Sequence, residues 1–373
     1  MEIRETCRGV IVDQSVVKDP HLNRSFVICV GIFILMARKY PYKKRGDVVG
    51  EEIELPRRRL GKTDIELTVF GVGGYLGLLV DKQASKADGE QAAILAVRRA
   101  LELGVGYFDT APSYGGGEAE RHLGLGLREL SAAERAGLRV STKVGTHPEK
   151  SQLYDADSIR WSLEQSLARL FCDAVDMVYV HDPVEDAHMD QILGPDGALE
   201  TLQKLGEEGV LQAIGLGVRN HRFLQRAIEC GRFDLILPSY DFHPLRDSVR
   251  PVIGAAVAAG MGVVNGSPYN AGLLAGRDLD EALRKRGAPE GDVARARALC
   301  DWCGERDLDP GEVAMQYSLR HSPITCTLAG PRTVAEVETN IEHAMASLPE
   351  TLWAELHDFV ETLGPAPPGG EIY

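Results

Sequence analysis

The fold is decided by a pattern that is clearest in residues 177–217, MVYVHDPVEDAHMDQILGPDGALETLQKLGEEGVLQAIGLG. An apolar run at Met177–His181 is followed by a helix-like segment at Ala198–Glu208 and then by a second apolar run at Ala213–Gly217. Short, continuously apolar runs that are joined by helices are typical of parallel strands buried on both faces. The segment therefore predicts a strand, a helix and a parallel strand in succession.

The same unit repeats along the chain from residue 69 onward. The predicted strands are Val69–Gly73, Tyr107–Ala111, Val140–Val144, Met177–His181, Ala213–Gly217, Leu235–Tyr240, Gly262–Ser267 and Cys326–Gly330. The predicted helices are Glu90–Leu103, Glu118–Leu130, Ser158–Leu170, Ala198–Glu208, Arg222–Cys230, Ser248–Ala259, Asp292–Glu305 and Val334–Met345. Eight such units predict an α/β protein with a closed (β/α)8 TIM barrel. The alternative, an open doubly wound sheet, requires a GxGxxG turn that leads directly into a helix, and residues 71–74 lack that helix.

The segments outside the repeat define the domain organisation. Glu54–Leu60 and Glu66–Phe70 flank Gly-Lys-Thr-Asp at 61–64, which predicts an N-terminal β-hairpin before the barrel. We expect residues 51–363 to form one barrel domain. Residues 364–373 contain several Pro and Gly residues, and we expect them to form a loose C-terminal tail.

Residues 1–50 are expected to be an extension of the barrel domain, either disordered or not part of the mature chain. The apolar run Phe26–Ala37 is flanked by basic residues, and Met36 could start a shorter chain. A helix of that length spans about 18 Å, which is short of the roughly 30 Å core of a bilayer. A membrane anchor and a helix docked on the barrel remain as alternatives.

Composition narrows the class of protein. The chain has 373 residues and a formal net charge of −14, which disfavours binding to nucleic acid and to anionic membranes. Its seven cysteines are sparse and odd in number, so no disulfide framework is expected, and the lone pair Cys300 and Cys303 is interpreted as structural thiols, with a metal or redox role as the alternative. No histidine spacing indicates a metal site. We expect a soluble cytoplasmic protein of undetermined oligomeric state.

Polar side chains follow the second, third and fourth predicted strands. Asp109 and Tyr114 lie at the end of the second strand, Lys143 at the end of the third and His181 at the end of the fourth. In a parallel barrel the active site lies at the carboxyl ends of the strands. An acid, a phenol, an amine and an imidazole are therefore expected to converge on one end of the barrel.

These residues resemble a known constellation. The segment FDTAPSYG at 108–115, followed by Lys143 and His181, is similar to the catalytic tetrad of the aldo-keto reductase superfamily, and the resemblance extends over about residues 55–348. It implies an NAD(P)-dependent oxidoreductase acting on a small carbonyl or sugar substrate, with Asp109 completing the tetrad. In that chemistry Tyr114 exchanges a proton with the substrate oxygen, a step worth roughly 10²–10⁴-fold in rate.

The chemistry assigns a task to each of the other three residues. A tyrosine with a pKa near 10 exchanges protons slowly at neutral pH. We expect the ammonium group of Lys143 to lower the pKa of Tyr114, Asp109 to hold Lys143, and His181 to bind the substrate oxygen. A Schiff-base lyase that uses Lys143 as its nucleophile is a rival interpretation.

The cofactor is expected at the last strand and the helix after it. The segment LAGPRT at 328–333, before a predicted helix, resembles the family's Gly-x-Arg-x₇-Asn phosphate-binding segment, which implies that Gly330, Arg332 and Asn340 bind the cofactor. Glu336 could accept a hydrogen bond from a ribose and repel a 2′-phosphate, whereas Arg332 would attract one, so NAD and NADP both remain open. Gly217 and Ser267, after the fifth and seventh strands, complete the expected cofactor set.

The substrate side carries a weaker signal. The phrase GSPYNAGLL at 266–274 resembles the aldose 1-dehydrogenase branch, which includes enzymes like L-fucose and L-galactose dehydrogenase. The resemblance implies oxidation of an aldose at its anomeric carbon, with Tyr75 and Tyr269 in the substrate wall. A carbonyl reductase of small aldehydes or ketones and a non-catalytic cofactor-binding regulator are the remaining alternatives.

Overall fold

A closed barrel of eight parallel strands forms the centre of the computed structural model, which describes residues 54–78, 84–275 and 289–370. The strands are β1 Arg57–Arg59, β2 Glu66–Thr68, β3 Phe70–Gly73, β4 Tyr107–Asp109, β5 Arg139–Val144, β6 Thr146–His147, β7 Lys150–Ser151, β8 Met177–His181, β9 Ala213–Gly217, β10 Leu235–Leu237, β11 Gly262–Gly266 and β12 Cys326–Ala329. Around the barrel the order is β3, β4, β5, β8, β9, β10, β11, β12 and back to β3. This confirms the predicted TIM barrel.

Helices surround the barrel and connect its strands. They are α1 Lys86–Glu102, α2 Glu118–Arg128, α3 Ala132–Ala136, α4 Ala156–Leu170, α5 Asp186–Leu193, α6 Ala198–Glu207, α7 His221–Cys230, α8 Arg250–Ala258, α9 Glu290–Gly304, α10 Pro310–Leu319, α11 Val334–Met345 and α12 Leu352–Thr362. Short 3₁₀ turns occupy Tyr114–Gly117 and Asn270–Gly272. The helices bury the outward faces of the strands in one large apolar cluster.

Strand β8 shows how the sequence divides between the two faces of the barrel wall. Met177 and Tyr179 belong to the cluster inside the barrel, and Val178 and Val180 belong to the cluster beneath the helices. All four side chains are completely buried. Because successive side chains of a strand point to opposite faces, an unbroken apolar run is what a strand buried on both faces requires.

The predicted N-terminal hairpin is also confirmed. Strands β1 and β2 pair antiparallel, and the turn between them lies at the amino-terminal end of β11. There the peptide N–H of Lys62 donates to the carbonyl of Gly260 at 3.0 Å. Gly61 has φ +54° in this turn, and a Cβ at that position would lie 2.5 Å from the peptide nitrogen of Gly262, so only glycine fits. Leu60, Leu67 and their neighbours fill the barrel interior from below.

The structure differs from the predicted repeat before the last strand. Within the described residues 289–325, two helices precede β12, and it is α10 that packs against β12 and α11. The sequence prediction placed only Asp292–Glu305 there, which overlaps α9. Helix α10 has a strong start signal, with Asp309 as its cap and Pro310 in its first turn. It contains only ten residues, which makes its periodic pattern short.

The C-terminal residues contact the barrel as far as the structure describes them. The guanidinium of Arg295 donates to the carbonyl of Gly364 at 2.9 Å, and Arg246 donates to the carbonyl of Pro367 at 3.2 Å. The peptide N–H of Gly370 donates to Asp241 at 2.7 Å.

The extension expected at residues 1–50 lies outside the described residues. Within the described ranges, no helix has the length and apolarity needed to cross a membrane.

Candidate active site

A cavity of about 640 Å³ opens at the carboxyl ends of the barrel strands. Its lining includes all of the residues predicted from the sequence as catalytic, cofactor-binding or substrate-binding. They are Tyr75, Asp109, Tyr114, Lys143, His181, Gly217, Ser267, Tyr269, Gly330, Arg332, Glu336 and Asn340. Because these residues come from seven strands and their following loops, the closure of the barrel is what brings them together.

Asp109 and Lys143 form a buried ion pair at the floor of the cavity. The ammonium of Lys143 lies 2.5 Å from Oδ2 of Asp109 and also donates to the carbonyl of Thr110 at 2.7 Å. The side chain of Lys143 is only 1% exposed, and that of Asp109 is 5% exposed. The lysine is therefore held by two acceptors, and an amine in that state is a poor nucleophile for a Schiff base.

A row of hydroxyl groups supports Asp109 from inside the barrel. Ser141 donates to Oδ1 of Asp109 at 2.6 Å, and the Tyr107 hydroxyl lies 2.8 Å from Ser141 and 3.1 Å from the Tyr179 hydroxyl. None of these three hydroxyl residues was predicted from the sequence as part of the site. The period of two along a strand could have indicated Ser141, since it precedes Lys143 by two residues on β5 and shares its face.

Tyr114 lies in the loop after β4, where the backbone changes direction sharply. Gly115, Gly116 and Gly117 have φ of 62°, 67° and 93°, which carries the chain from the loop into α2. The Tyr114 ring stacks on Tyr75 with 5.0 Å between ring centroids, and Nζ of Lys143 lies 5.0 Å from its centroid. The tetrad predicted from the sequence therefore lies in one place.

The pKa of Tyr114 differs from the expectation. Removal of the phenol from water, with Asp109 as the next cause, raises the pKa of Tyr114 well above its ordinary value. The nearby ammonium of Lys143, which is paired with Asp109, does not offset this rise. Tyr114 is accordingly a neutral phenol, ready to donate a proton.

His181 presents one ring nitrogen to the cavity. Its Nδ1 lies 2.8 Å from the Thr146 hydroxyl, and its Nε2 lies 3.2 Å from Oδ2 of Asp182. Burial, aided by the charge of Lys143, lowers the pKa of His181 well below its usual range, so the ring is neutral. The carboxylate favours the single proton on Nε2, and Nδ1 then accepts from Thr146.

The opposite wall consists of the end of β12 and the start of α11. Arg332, Glu336 and Asn340 face the cavity from this element, and the helix is capped by Thr333, whose side chain accepts from the peptide N–H of Glu336. A Cβ on Gly330 would lie 3.0 Å from the Gly73 carbonyl. The amino terminus of a helix attracts an anionic phosphate, and a glycine just before it leaves room for the phosphate to come close to the backbone. These residues therefore fit a nicotinamide dinucleotide.

Glu336 has a second partner at this helix start. Its Oε2 accepts the peptide N–H of Arg332 at 2.6 Å. The guanidinium carbon of Arg332 lies 5.8 Å from the Tyr75 ring centroid. A carboxylate and a guanidinium therefore both border the place where the adenosine ribose would be bound.

The remaining predicted residues occupy distinct positions. Gly217 ends β9, where a Cβ would lie 3.8 Å from His181 Cδ2, and Ser267 follows β11 with φ +61°. The hydroxyl of Tyr269 lies 2.8 Å from Nδ1 of His343 on α11, so this tyrosine adjoins the helix of the predicted cofactor residues. Asn220 caps α7.

The described ranges contain no group of three or more His, Cys, Asp or Glu side chains placed to hold a metal ion. Burial raises the pKa of the Cys300 thiol to about 11 and that of Cys303 to about 12. Protonated, buried thiols are poor metal ligands and poor nucleophiles.

Known proteins share both the sequence and the fold. The profile of the Aldo/keto reductase family matches residues 77–361. L-galactose dehydrogenase of Arabidopsis thaliana is 32% identical over 78% of this chain and 88% of its own length. Pyridoxal 4-dehydrogenase of Microbacterium luteolum is 30% identical over 80% of this chain and 96% of its own length. D-threo-aldose 1-dehydrogenase of a Pseudomonas species is 30% identical over 72% of this chain and 88% of its own length.

A solved structure supports the fold independently. An aldo-keto reductase of Bacillus halodurans, in its holo form, superposes with a TM-score of 0.66, covering 86% of this chain and 98% of that chain at 21% identity. The profile match extends over most of the barrel, and the curated relatives have barrel-length coverage. The chain therefore belongs to the aldo/keto reductase family and is an NAD(P)-dependent oxidoreductase.

Proposed function

We propose that this oxidoreductase is an aldose dehydrogenase, which moves a hydride between NAD(P) and the anomeric carbon of a sugar. The observation that carries the proposal is the polar character of the cavity beside Tyr114, where Asp182, Ser239 and Ser267 contribute to the wall. Carboxylate and hydroxyl groups can bind the several hydroxyls of a sugar, which an apolar pocket cannot do. Two of the relatives, L-galactose dehydrogenase and D-threo-aldose 1-dehydrogenase, carry names of that class.

The described residues have separable tasks in such a reaction. The bound nicotinamide supplies or accepts the hydride. His181 Nε2–H donates to the reacting oxygen and orients it, and Tyr114 exchanges a proton with the same oxygen. Lys143, held by Asp109, keeps a positive charge beneath the ring of Tyr114. In the oxidising direction the phenolate form of Tyr114 takes the proton from the substrate hydroxyl and becomes a phenol, and in the reducing direction the phenol returns that proton to the substrate oxygen.

One observation favours a second candidate function, the reduction of small aldehydes or ketones. Burial and the Asp109 carboxylate raise the pKa of Tyr114, so its phenol is harder to deprotonate than an ordinary tyrosine with a pKa near 10. A protonated phenol is already in the state that donates to an alkoxide as the hydride arrives. Oxidation of a sugar requires Tyr114 to be deprotonated beforehand. The rate of oxidation is therefore expected to increase more with pH than the rate of reduction.

For the cofactor we propose NAD rather than NADP. Glu336 is the residue on which this rests, because its carboxylate borders the ribose position and is bonded to the Arg332 peptide N–H. A carboxylate can accept from a free 2′-hydroxyl and repels a 2′-phosphate. The guanidinium of Arg332 would attract a 2′-phosphate. We therefore expect the protein to prefer NAD but still to accept NADP.

Absorbance at 340 nm tests both proposals. Purified protein is mixed with NAD⁺ or NADP⁺ and a panel of aldoses, and then with NADH or NADPH and small aldehydes. A rise with an aldose supports the dehydrogenase, and its rate with each cofactor gives the preference. Consumption of reduced cofactor with aldehydes alone would establish the carbonyl reductase. Tight cofactor binding with no turnover in either direction would indicate a regulator.

Tyr114→Phe provides the matched control for this assay. It removes one oxygen and leaves the ring stacked on Tyr75. Turnover is expected to fall about 10²–10⁴-fold, with cofactor affinity unchanged. Near-normal turnover would remove Tyr114 from the reaction.

A further inference from the structure

Asp182 occupies a backbone conformation that side chains rarely adopt. It directly follows His181 at the end of β8 and has φ +43°. Two hydrogen bonds hold it there, from its peptide N–H to the Gly217 carbonyl at 2.9 Å and from Gln152 Nε2 to its own carbonyl at 3.1 Å. A left-handed conformation at a residue other than glycine is disfavoured and persists where the surroundings enforce it, most often at functional sites.

The left-handed turn decides where the carboxylate points. Tyr179 faces the barrel interior and His181 faces the cavity, so an extended residue 182 would face the helices instead. The turn interrupts this alternation and directs Asp182 into the cavity, where Oδ2 lies 3.2 Å from His181 Nε2. The end of β8 thus presents a hydrogen-bond donor, His181 Nε2–H, beside an acceptor, the Asp182 carboxylate.

The carboxylate has no cation paired with it among the residues that the structure describes. The basic side chain that it contacts is His181, which is neutral because its pKa is lowered well below the usual range. The other titratable groups that it faces are Lys143, which is bound to Asp109, and the neutral phenols of Tyr114 and Tyr154. The side chain is 53% exposed and lines the cavity, so an incoming molecule can reach it.

We propose that Asp182 selects substrates that carry a hydroxyl on the carbon next to the reacting carbon. The reacting oxygen accepts from His181 Nε2–H, and the neighbouring hydroxyl donates to the Asp182 carboxylate. Oxygens on adjacent carbons lie at about contact distance, which matches the 3.2 Å between Nε2 and Oδ2. The class comprises α-hydroxy aldehydes and the cyclic hemiacetals of aldoses.

This inference rests on the proposed function and deepens it. An ionised carboxylate accepts hydrogen bonds and donates none, so it stabilises a hydroxyl and offers no hydrogen bond to a bare methylene in the same place. A hydrogen bond to a charged group is worth about 10- to 100-fold in discrimination when its partner is deleted. A substrate without the neighbouring hydroxyl is therefore expected to be the poorer one.

The experiment compares two substrates that differ by this one hydroxyl. Lactaldehyde and propanal are reduced with NADH or NADPH, and kcat/KM is measured for the wild type, Asp182→Asn and Asp182→Gly. Asparagine and glycine both accept a left-handed φ, so neither variant disturbs the turn. Asp186→Asn is the matched control, because it removes the same charge nearby in the chain, at the start of α5 and outside the cavity.

We expect the wild type to prefer lactaldehyde, and we expect both Asp182 variants to reduce that preference about 10- to 100-fold. Asp186→Asn should keep the wild-type ratio. An equal loss for both aldehydes would show that Asp182 acts on the reaction itself and not on substrate selection, and would overturn the inference. An unchanged ratio would overturn it as well.

The wild type is assayed in parallel for oxidation of galactose and 2-deoxygalactose with NAD⁺ and NADP⁺. If neither sugar is oxidised while the lactaldehyde preference depends on Asp182, the aldose dehydrogenase proposal fails and the selection of α-hydroxy carbonyls stands. If galactose is oxidised but the Asp182 variants keep the wild-type ratios, the proposed function stands and this inference fails.

Discussion

The buried pair of Asp109 and Lys143 is expected to contribute to both stability and turnover. Asp109→Asn keeps the shape of the side chain and removes its charge, while Lys143 stays 1% exposed with the Thr110 carbonyl as its remaining acceptor. Removing one partner of a buried ion pair leaves an uncompensated charge and costs about 3–5 kcal/mol. This is a large share of the roughly 5–15 kcal/mol that stabilises an ordinary domain.

Urea unfolding followed by circular dichroism measures this loss, and the 340 nm assay measures turnover on the same samples. Asp109→Asn should unfold at a clearly lower urea concentration and show little turnover, because the amine no longer has a fixed position beneath Tyr114. Asp109→Asn combined with Lys143→Met should recover part of the stability, since no charge is then left buried, and none of the turnover.

Asp64→Asn is the matched control for that experiment. Asp64 also pairs with a cation, Arg59 at 2.8 Å, but its side chain is fully exposed in the hairpin turn. An exposed pair contributes about 0–1 kcal/mol, so this variant should unfold like the wild type. Equal midpoints for Asp109→Asn and Asp64→Asn would refute the reasoning, as would a double variant less stable than Asp109→Asn.

Three further predictions follow from charged groups in and around the site. Glu336→Gln should shift the ratio of kcat/KM values towards NADP by about tenfold, whereas Glu338→Gln, on the same helix and outside the cavity, should not; both are measured at 340 nm with each cofactor. Burial raises the pKa of Asp182 to about 6, so kcat/KM for lactaldehyde should fall as the pH drops below about 6, and Asp182→Asn should lack this limb of the pH profile. Burial would raise the pKa of Asp241, but the hydrogen bonds from His221 and Arg219 outweigh it and lower that pKa from 3.8 to about 2. Its contribution to stability is therefore complete above about pH 4 and is lost as the pH falls towards 2, so the urea midpoints of Asp241→Asn and wild type should differ at pH 6 and converge at pH 2.

The barrel and the meeting of Asp109, Tyr114, Lys143 and His181 in one cavity could be predicted because their signals are local. Met177–His181 and Ala213–Gly217 match the observed strands, since a strand buried on both faces must be continuously apolar. The loop from Asp109 to Tyr114 keeps its spacing because it is a short connection within one unit. Strands predicted to reach Tyr240 and Gly330 end earlier, at Leu237 and Ala329, where the chain turns to form the cavity.

Local patterns in the chain specify the eightfold repeat, the hairpin and the residues at the strand ends. How those residues act on one another depends on the folded barrel. The expected lowering of the Tyr114 pKa does not occur, because the fold buries the phenol and places the Asp109 carboxylate near it, and both raise that pKa. Asp182 reaches the cavity only through a left-handed turn that bonds to Gly217 on the next strand. Electrostatic shifts and backbone strain depend on distances between segments far apart in the chain, and no spacing along one strand encodes them.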